Sequence, residues 1–79
     1  MASLEISFYP LEENYKEIIL DFINSIKKNE KLEVEVNSFS TQIFGDYDEI
    51  MKLLSTELKE VLSRQPSIAV MKLSARDLR

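Results

Sequence analysis

Apolar and polar residues alternate with a period of two from Leu4 to Tyr9, setting Leu4, Ile6 and Phe8 against Glu5, Ser7 and Tyr9. This pattern predicts a half-buried strand, and Pro10 ends it because proline has no N–H to give to a ladder. The period then changes. Tyr15, Ile18, Ile19, Phe22, Ile23 and Ile26 recur at i, i+3, i+4, i+7, i+8 and i+11, an apolar stripe that predicts a helix to about Lys28. Asn14 with Glu17 reads as its cap and reciprocal partner, and Lys27, Lys28 and Lys31 place positive charge near its negative end. Leu32, Val34 and Val36 against Glu33, Glu35 and Asn37 give a second strand with an acidic outer face. A turn near Asn37-Ser38 leads to a third strand, approximately Ser40 to Phe44. A β-bulge there would change the facing of Ser38 to Thr41. Gly45 is expected to break this strand, and Asp46 with Glu49 forms a second capping signature. Tyr47, Ile50, Met51, Leu54, Leu58, Val61 and Leu62 then carry a helical stripe to about Arg64. Beyond Pro66, Ser67 to Ser74 sets Ile68, Val70 and Lys72 against Ala69, Met71 and Leu73 and predicts the last strand.

The order strand, helix, strand, strand, helix, strand is that of an α+β, ferredoxin-like βαββαβ sandwich. Right-handed crossovers put the first and third strands in the centre of a four-stranded antiparallel-type sheet, with both helices on one face. The other face is left open, displaying Ser7, Tyr9, Glu35, Asn37, Ser40, Gln42, Phe44, Ile68 and Val70. Apolar members on an uncovered face predict self-association or a covering ligand.

Composition narrows what such a face does. At 79 residues the chain is expected to form one domain, residues 1–79, near the low end of what one core stabilises. It contains neither cysteine nor histidine, which removes disulfides, thiolate chemistry, the usual neutral-pH base and the commonest metal ligand. What remains is binding or a carboxylate site, and the expectation is a binding protein, not an enzyme, with no metal and no cofactor. Ten basic against fourteen acidic residues give a net charge of -4, so the electrostatic footprint of nucleic-acid binding is missing. No stretch approaches the roughly 20 apolar residues of a membrane span, and no basic region followed by an apolar run opens the chain. A cytoplasmic protein without membrane insertion is expected.

The candidate site residues are Ser7, Tyr9, Glu35, Asn37, Ser40, Thr41 and Gln42. Hydroxyl and amide groups on adjacent strands could orient a small planar ligand against an apolar wall from Phe8, Tyr9, Phe39 or Phe44, or they could simply solvate the strand. Simple alternation puts Thr41 with Ile43 toward the helices, where its hydroxyl needs a partner. Gly45-Asp46 reads mainly as an unusual backbone angle followed by a helix cap. An anion at that helix start is disfavoured by Asp46, Asp48 and Glu49. Glu33 and Glu35 read as an edge that resists aggregation, although Glu35 could accept from a ligand amino group. Arg76 and Arg79 read as part of a frayed end. An acylphosphatase would need arginine where Pro10-Leu11-Glu12-Glu13 stands, and a metal-chaperone domain would need a cysteine pair there.

Ser7-Phe8-Tyr9-Pro10-Leu11, the first helix with Tyr15, Ser40-Thr41, and Gly45-Asp46 followed by an acidic helix start resemble the YkoF-like thiamine- and hydroxymethylpyrimidine-binding family over nearly the whole chain. The resemblance implies ferredoxin-like repeats that bind thiamine or its pyrimidine precursor without catalysis. It implies that Ser40-Thr41 and the strand end near Tyr9 contribute to a pyrimidine pocket, with Ser40, Thr41, Gln42 or Asn37 reading the ring edge and an aromatic side chain packing on its face. Glu35 would pair with the aminopyrimidine or offset a thiazolium charge. One repeat per chain implies a homodimer or homotetramer assembled through the sheets. The competing expectation is a small structural or regulatory module whose open sheet docks on another protein.

Overall fold

A computed structural model describes residues 1–79. The period-two segment at the start forms β1 (Ala2–Pro10), and the first apolar stripe forms α1 (Tyr15–Lys27). β2 (Glu33–Val36) and β3 (Thr41–Gly45) make a hairpin. The second stripe is one helical rod in three parts, α2 (Tyr47–Leu53), a π turn (Leu54–Leu58) and α3 (Lys59–Arg64), and β4 (Ser67–Ser74) closes the sequence of elements. The sheet order is β2-β3-β1-β4 with every neighbouring pair antiparallel. β1 and β3 therefore occupy the centre, as the crossover argument requires.

The alternation along each strand decides what the helices cover. Leu4, Ile6 and Ile43 on the central strands meet Ile26 of α1 and Ile50 of α2, and these five side chains are buried almost completely. Each contributes about 1.5–3 kcal/mol of transfer free energy. Phe8 and Phe22 add a tilted aromatic pair with ring centroids 5.2 Å apart, the inclined geometry the ring quadrupoles favour.

Four local expectations change. Neither Asn14 nor Asp46 makes a side-chain cap bond. Glu49, the supposed reciprocal partner, is instead engaged by Asn29 Nδ2 and Lys31 Nζ, both at 3.4 Å. Gly45 does not break β3; it is the strand's last residue and pairs with Ala2. Its φ is not positive, so the glycine answers a need for space and not for an unusual angle. No β-bulge is needed before β3: the chain turns tightly at Asn37–Ser40 and the strand starts at Thr41. The second helix is not uniformly α. Ser55 Oγ and Thr56 Oγ1 both donate to the Lys52 carbonyl, at 3.1 and 2.7 Å, and such back-bonding competes with the regular ladder, consistent with the widened turn beside it.

Candidate functional site

The hairpin turn places the candidate residues. Asn37 Oδ1 accepts from the backbone N–H groups of Phe39 and Ser40, at 2.8 and 3.0 Å, and the Asn37 N–H donates to the Ser40 carbonyl at 3.0 Å. This is the asparagine turn that mimics a backbone turn, and it pins the segment leading into Thr41. Ser7 Oγ donates to the Phe39 carbonyl at 3.3 Å, and Ser40 Oγ donates to Glu5 Oε2 at 3.1 Å. The hairpin tip is thus tied to β1 at two points.

Between this tip, the end of β1 and the start of α1 lies a cavity of about 340 Å³. Its walls are apolar, from Ile6, Phe8, Tyr9, Tyr15, Ile19, Phe22 and Ile23, and its rim carries Ser7, Asn37, Ser40 and Thr41. Thr41 faces the helix side and is 7% exposed. No enclosed side-chain oxygen or nitrogen lacks a partner, so the Thr41 hydroxyl, which no other group of the chain bonds, reaches the cavity surface. It can both donate and accept. The hydroxyls of Ser7 and Ser40 are already donating, and their oxygens still accept.

Five of the seven candidate residues, Ser7, Tyr9, Asn37, Ser40 and Thr41, therefore meet at one cavity. Glu35 and Gln42 do not. They sit on the open sheet face, where register aligns Glu35, Gln42, Glu5 and Lys72 in one row across all four strands. Lys72 Nζ lies 3.8 Å from Glu5 Oε1. This row crosses a second, wider depression of about 660 Å³ that also includes Phe44 and Arg79. Sequence reasoning missed Tyr15, Ile19 and Phe22 as cavity walls because the helical stripe explained them as core. Tyr15, with nearly half its surface exposed, was the signal that the stripe runs past the core. Glu5 was missed because its partner Ser40 is 35 residues away.

The expectation of a frayed end at Arg76 and Arg79 fails. Ser3 Oγ donates to the Arg76 carbonyl and accepts from the Leu78 N–H, both at 2.8 Å. The Arg79 guanidinium lies 4.8 Å from the Phe44 ring centroid and pairs with Glu33 and Asp77. Phe44, expected on the open face, is consequently 6% exposed. The cause is a cation drawn to the face of an aromatic ring flanked by carboxylates.

Away from both depressions, Glu49 is the group whose acidity moves. The hydrogen bond from Asn29, with smaller help from the Lys31 and Lys52 charges, outweighs partial desolvation and lowers its pKa from the ordinary 4.5. A carboxyl with a depressed folded-state pKa stabilises the fold above its unfolded value and loses that contribution as pH falls through the folded one. Glu49→Gln is therefore expected to flatten the acid limb of stability. Urea midpoints at about pH 6 and about pH 3 check this: the variant's drop should be the smaller one, and an equal drop in both proteins would refute the assignment.

No helix is long and apolar enough to cross a membrane, and nowhere do three or more histidine, cysteine, aspartate or glutamate side chains gather as a metal ion would require. The fold and the cavity define a ferredoxin-like α+β protein with an apolar, hydroxyl-rimmed hollow between its β2–β3 hairpin and first helix. The chain belongs to the YKOF-related family, whose sequence model matches residues 1–75. No curated protein matches it. Among solved structures, a Streptococcus pneumoniae protein superposes with a TM-score of 0.85 at 22% identity, over 98% of this chain and 88% of that one. A hypothetical Methanocaldococcus protein gives 0.78 at 27%, over 99% and 82%. A Thermotoga maritima protein assigned provisionally to thiamine biosynthesis or salvage gives 0.74 at 21%, over 92% and 78%.

Proposed function

We propose that the protein binds thiamine or a related hydroxymethylpyrimidine without chemical change, as a homo-oligomeric carrier, buffer or sensor in the cytoplasm. The observation that carries this reading is the Thr41 hydroxyl, left without a protein partner on the wall of an aromatic-lined cavity. An aminopyrimidine presents donors and acceptors in one plane and an apolar face above it. Thr41, with the accepting oxygens of Ser40 and Ser7, suits its edge; Tyr9, Tyr15 and Phe8 suit its face. Family membership and the thiamine-related description of the Thermotoga protein support the same ligand class.

Size favours a small ligand. At about 340 Å³ the cavity is near the bottom of the range for small-molecule sites, enough for the pyrimidine ring with a second ring left toward the opening. Oligomerisation is supported by Tyr9, Ile68 and Val70, all more than half exposed, and by Phe39 at 90%. Tyr9 pairs directly with Ile68 and Ser7 with Val70, which makes one apolar patch on the open face. The same patch supports the alternative of a docking module for another protein, and ligand binding separates the two. Calorimetry and thermal shift with thiamine and hydroxymethylpyrimidine at about millimolar concentration, equivalent to roughly 4 kcal/mol of binding, should show heat and a raised melting temperature. Silence with both compounds would end the ligand reading.

A further inference from the structure

The segment after β4 does something the βαββαβ plan does not require. Ser3, at the start of central strand β1, holds two backbone groups of that segment, and Arg79 covers Phe44 on the neighbouring central strand. Ser3 and Phe44 are direct register partners. The segment therefore lies across one end of the open face and leaves the Tyr9, Ile68 and Val70 end bare. Two sheets packed face to face stand only about 10 Å apart, a space their inner side chains fill. A run of backbone laid over one sheet occupies that space, so a second copy cannot pack flush over the Ser3–Phe44 row while the segment is in place.

From this we infer that residues 75–79 form a displaceable strap that competes with a second copy of the chain for the open face and so sets the strength of self-association. The inference rests on the sheet-face assembly proposed above. What holds the strap is weak and separable. The Arg79 guanidinium is about one-third exposed, and Glu33 more than half; pairs of this kind contribute little and are screened by salt. The two bonds to Ser3 and the contact with the Phe44 ring supply the rest. Release would uncover Phe44, an aromatic side chain on the far side of the Glu35–Gln42–Glu5–Lys72 row from the apolar patch, along with the carboxylate of Glu33.

Sedimentation of the whole chain and of Arg79→Ala, with Glu33→Gln as an independent way to loosen the same contact, tests the strap. Arg79→Ala is expected to self-associate about tenfold more tightly than the wild type, from the loss of the cation–π contact and its ion pairs, and Glu33→Gln about two- to fourfold, from the loss of one ion pair alone. Added salt should tighten the wild type more than Arg79→Ala, because the variant has no Arg79–Glu33 pair left to screen. In dilute wild type the Leu78 amide, bonded to Ser3, should exchange slowly, and in Arg79→Ala it should exchange fast. Association that is unchanged in both variants would show that copies avoid the Ser3–Phe44 row, and weaker association would make the segment part of the interface. Either result overturns the strap while leaving assembly standing. A monomer at every concentration in wild type and variants alike would overturn the strap and the assembly reading together.

Discussion

Gly45→Val is expected to destabilise the fold by about 3 kcal/mol or more, and Gly45→Ala by about 1–3 kcal/mol. A Cβ at this position would stand 2.5 Å from Leu32 Cδ2, 3.2 Å from the Lys31 carbonyl oxygen and 3.6 Å from Leu32 Cα. The Leu32 methyl alone could swing aside, but Leu32 is 8% exposed and belongs to the core. The carbonyl is backbone and cannot. Valine adds two further methyls to the same gap. A chain of this length holds on the order of 4–12 kcal/mol in total, so the valine variant should be partly unfolded at physiological temperature. Urea titration checks this: the midpoint should fall at nearly constant slope, and a midpoint within error of wild type would mean that Leu32 yields freely.

Gly45 also illustrates which parts of this molecule could be read from its sequence. The strands and helices were legible because their signal is periodic and local. Ile6 and Ile43 point inward for the same reason that Ser7 and Gln42 do not, and a right-handed crossover then leaves one arrangement of four strands. What was not legible depends on neighbours remote in sequence. Nothing near Gly45 announces that the Lys31–Leu32 backbone passes beside it. Asp46 and Glu49 have the spacing of a capping box, yet Asn29 and Lys31 compete successfully for Glu49. Arg79 looked like a solvated end because its partners Phe44 and Glu33 lie 35 and 46 positions away in the chain. The candidate site was legible in part for the same reason. Alternation set Thr41 apart on the helix side but left the other six residues together on the open face, and only the tight turn at Asn37 shows the true division, in which Ser7, Ser40 and Thr41 share a cavity and Glu35 and Gln42 lie outside it.

That division makes Thr41 the position where binding and folding should part company. Thr41→Val keeps the branched shape and removes the hydroxyl, which has no partner within the chain. The hydroxyl bonds no other group of the chain and reaches the cavity surface, so its removal does not cost the fold a hydrogen bond and the melting temperature should hold. If the hydroxyl reads the pyrimidine edge, its loss removes a bond made inside an apolar cavity and leaves a ligand group unpaired. That is worth roughly 1–3 kcal/mol, or about a 5- to 150-fold weaker Kd. Ser40→Ala should behave differently, because Ser40 already donates to Glu5: stability should drop by about 0.5–1.5 kcal/mol with a smaller loss of affinity. Gln42→Ala, on the open face, should leave affinity unchanged. Calorimetric titration of the three variants with thiamine and hydroxymethylpyrimidine, beside their thermal melts, measures both quantities. Full affinity in Thr41→Val together with lost affinity in Gln42→Ala would move the ligand out of the hairpin cavity and onto the row of Glu35, Gln42 and Glu5, where a carboxylate pair, not a hydroxyl, would be its partner.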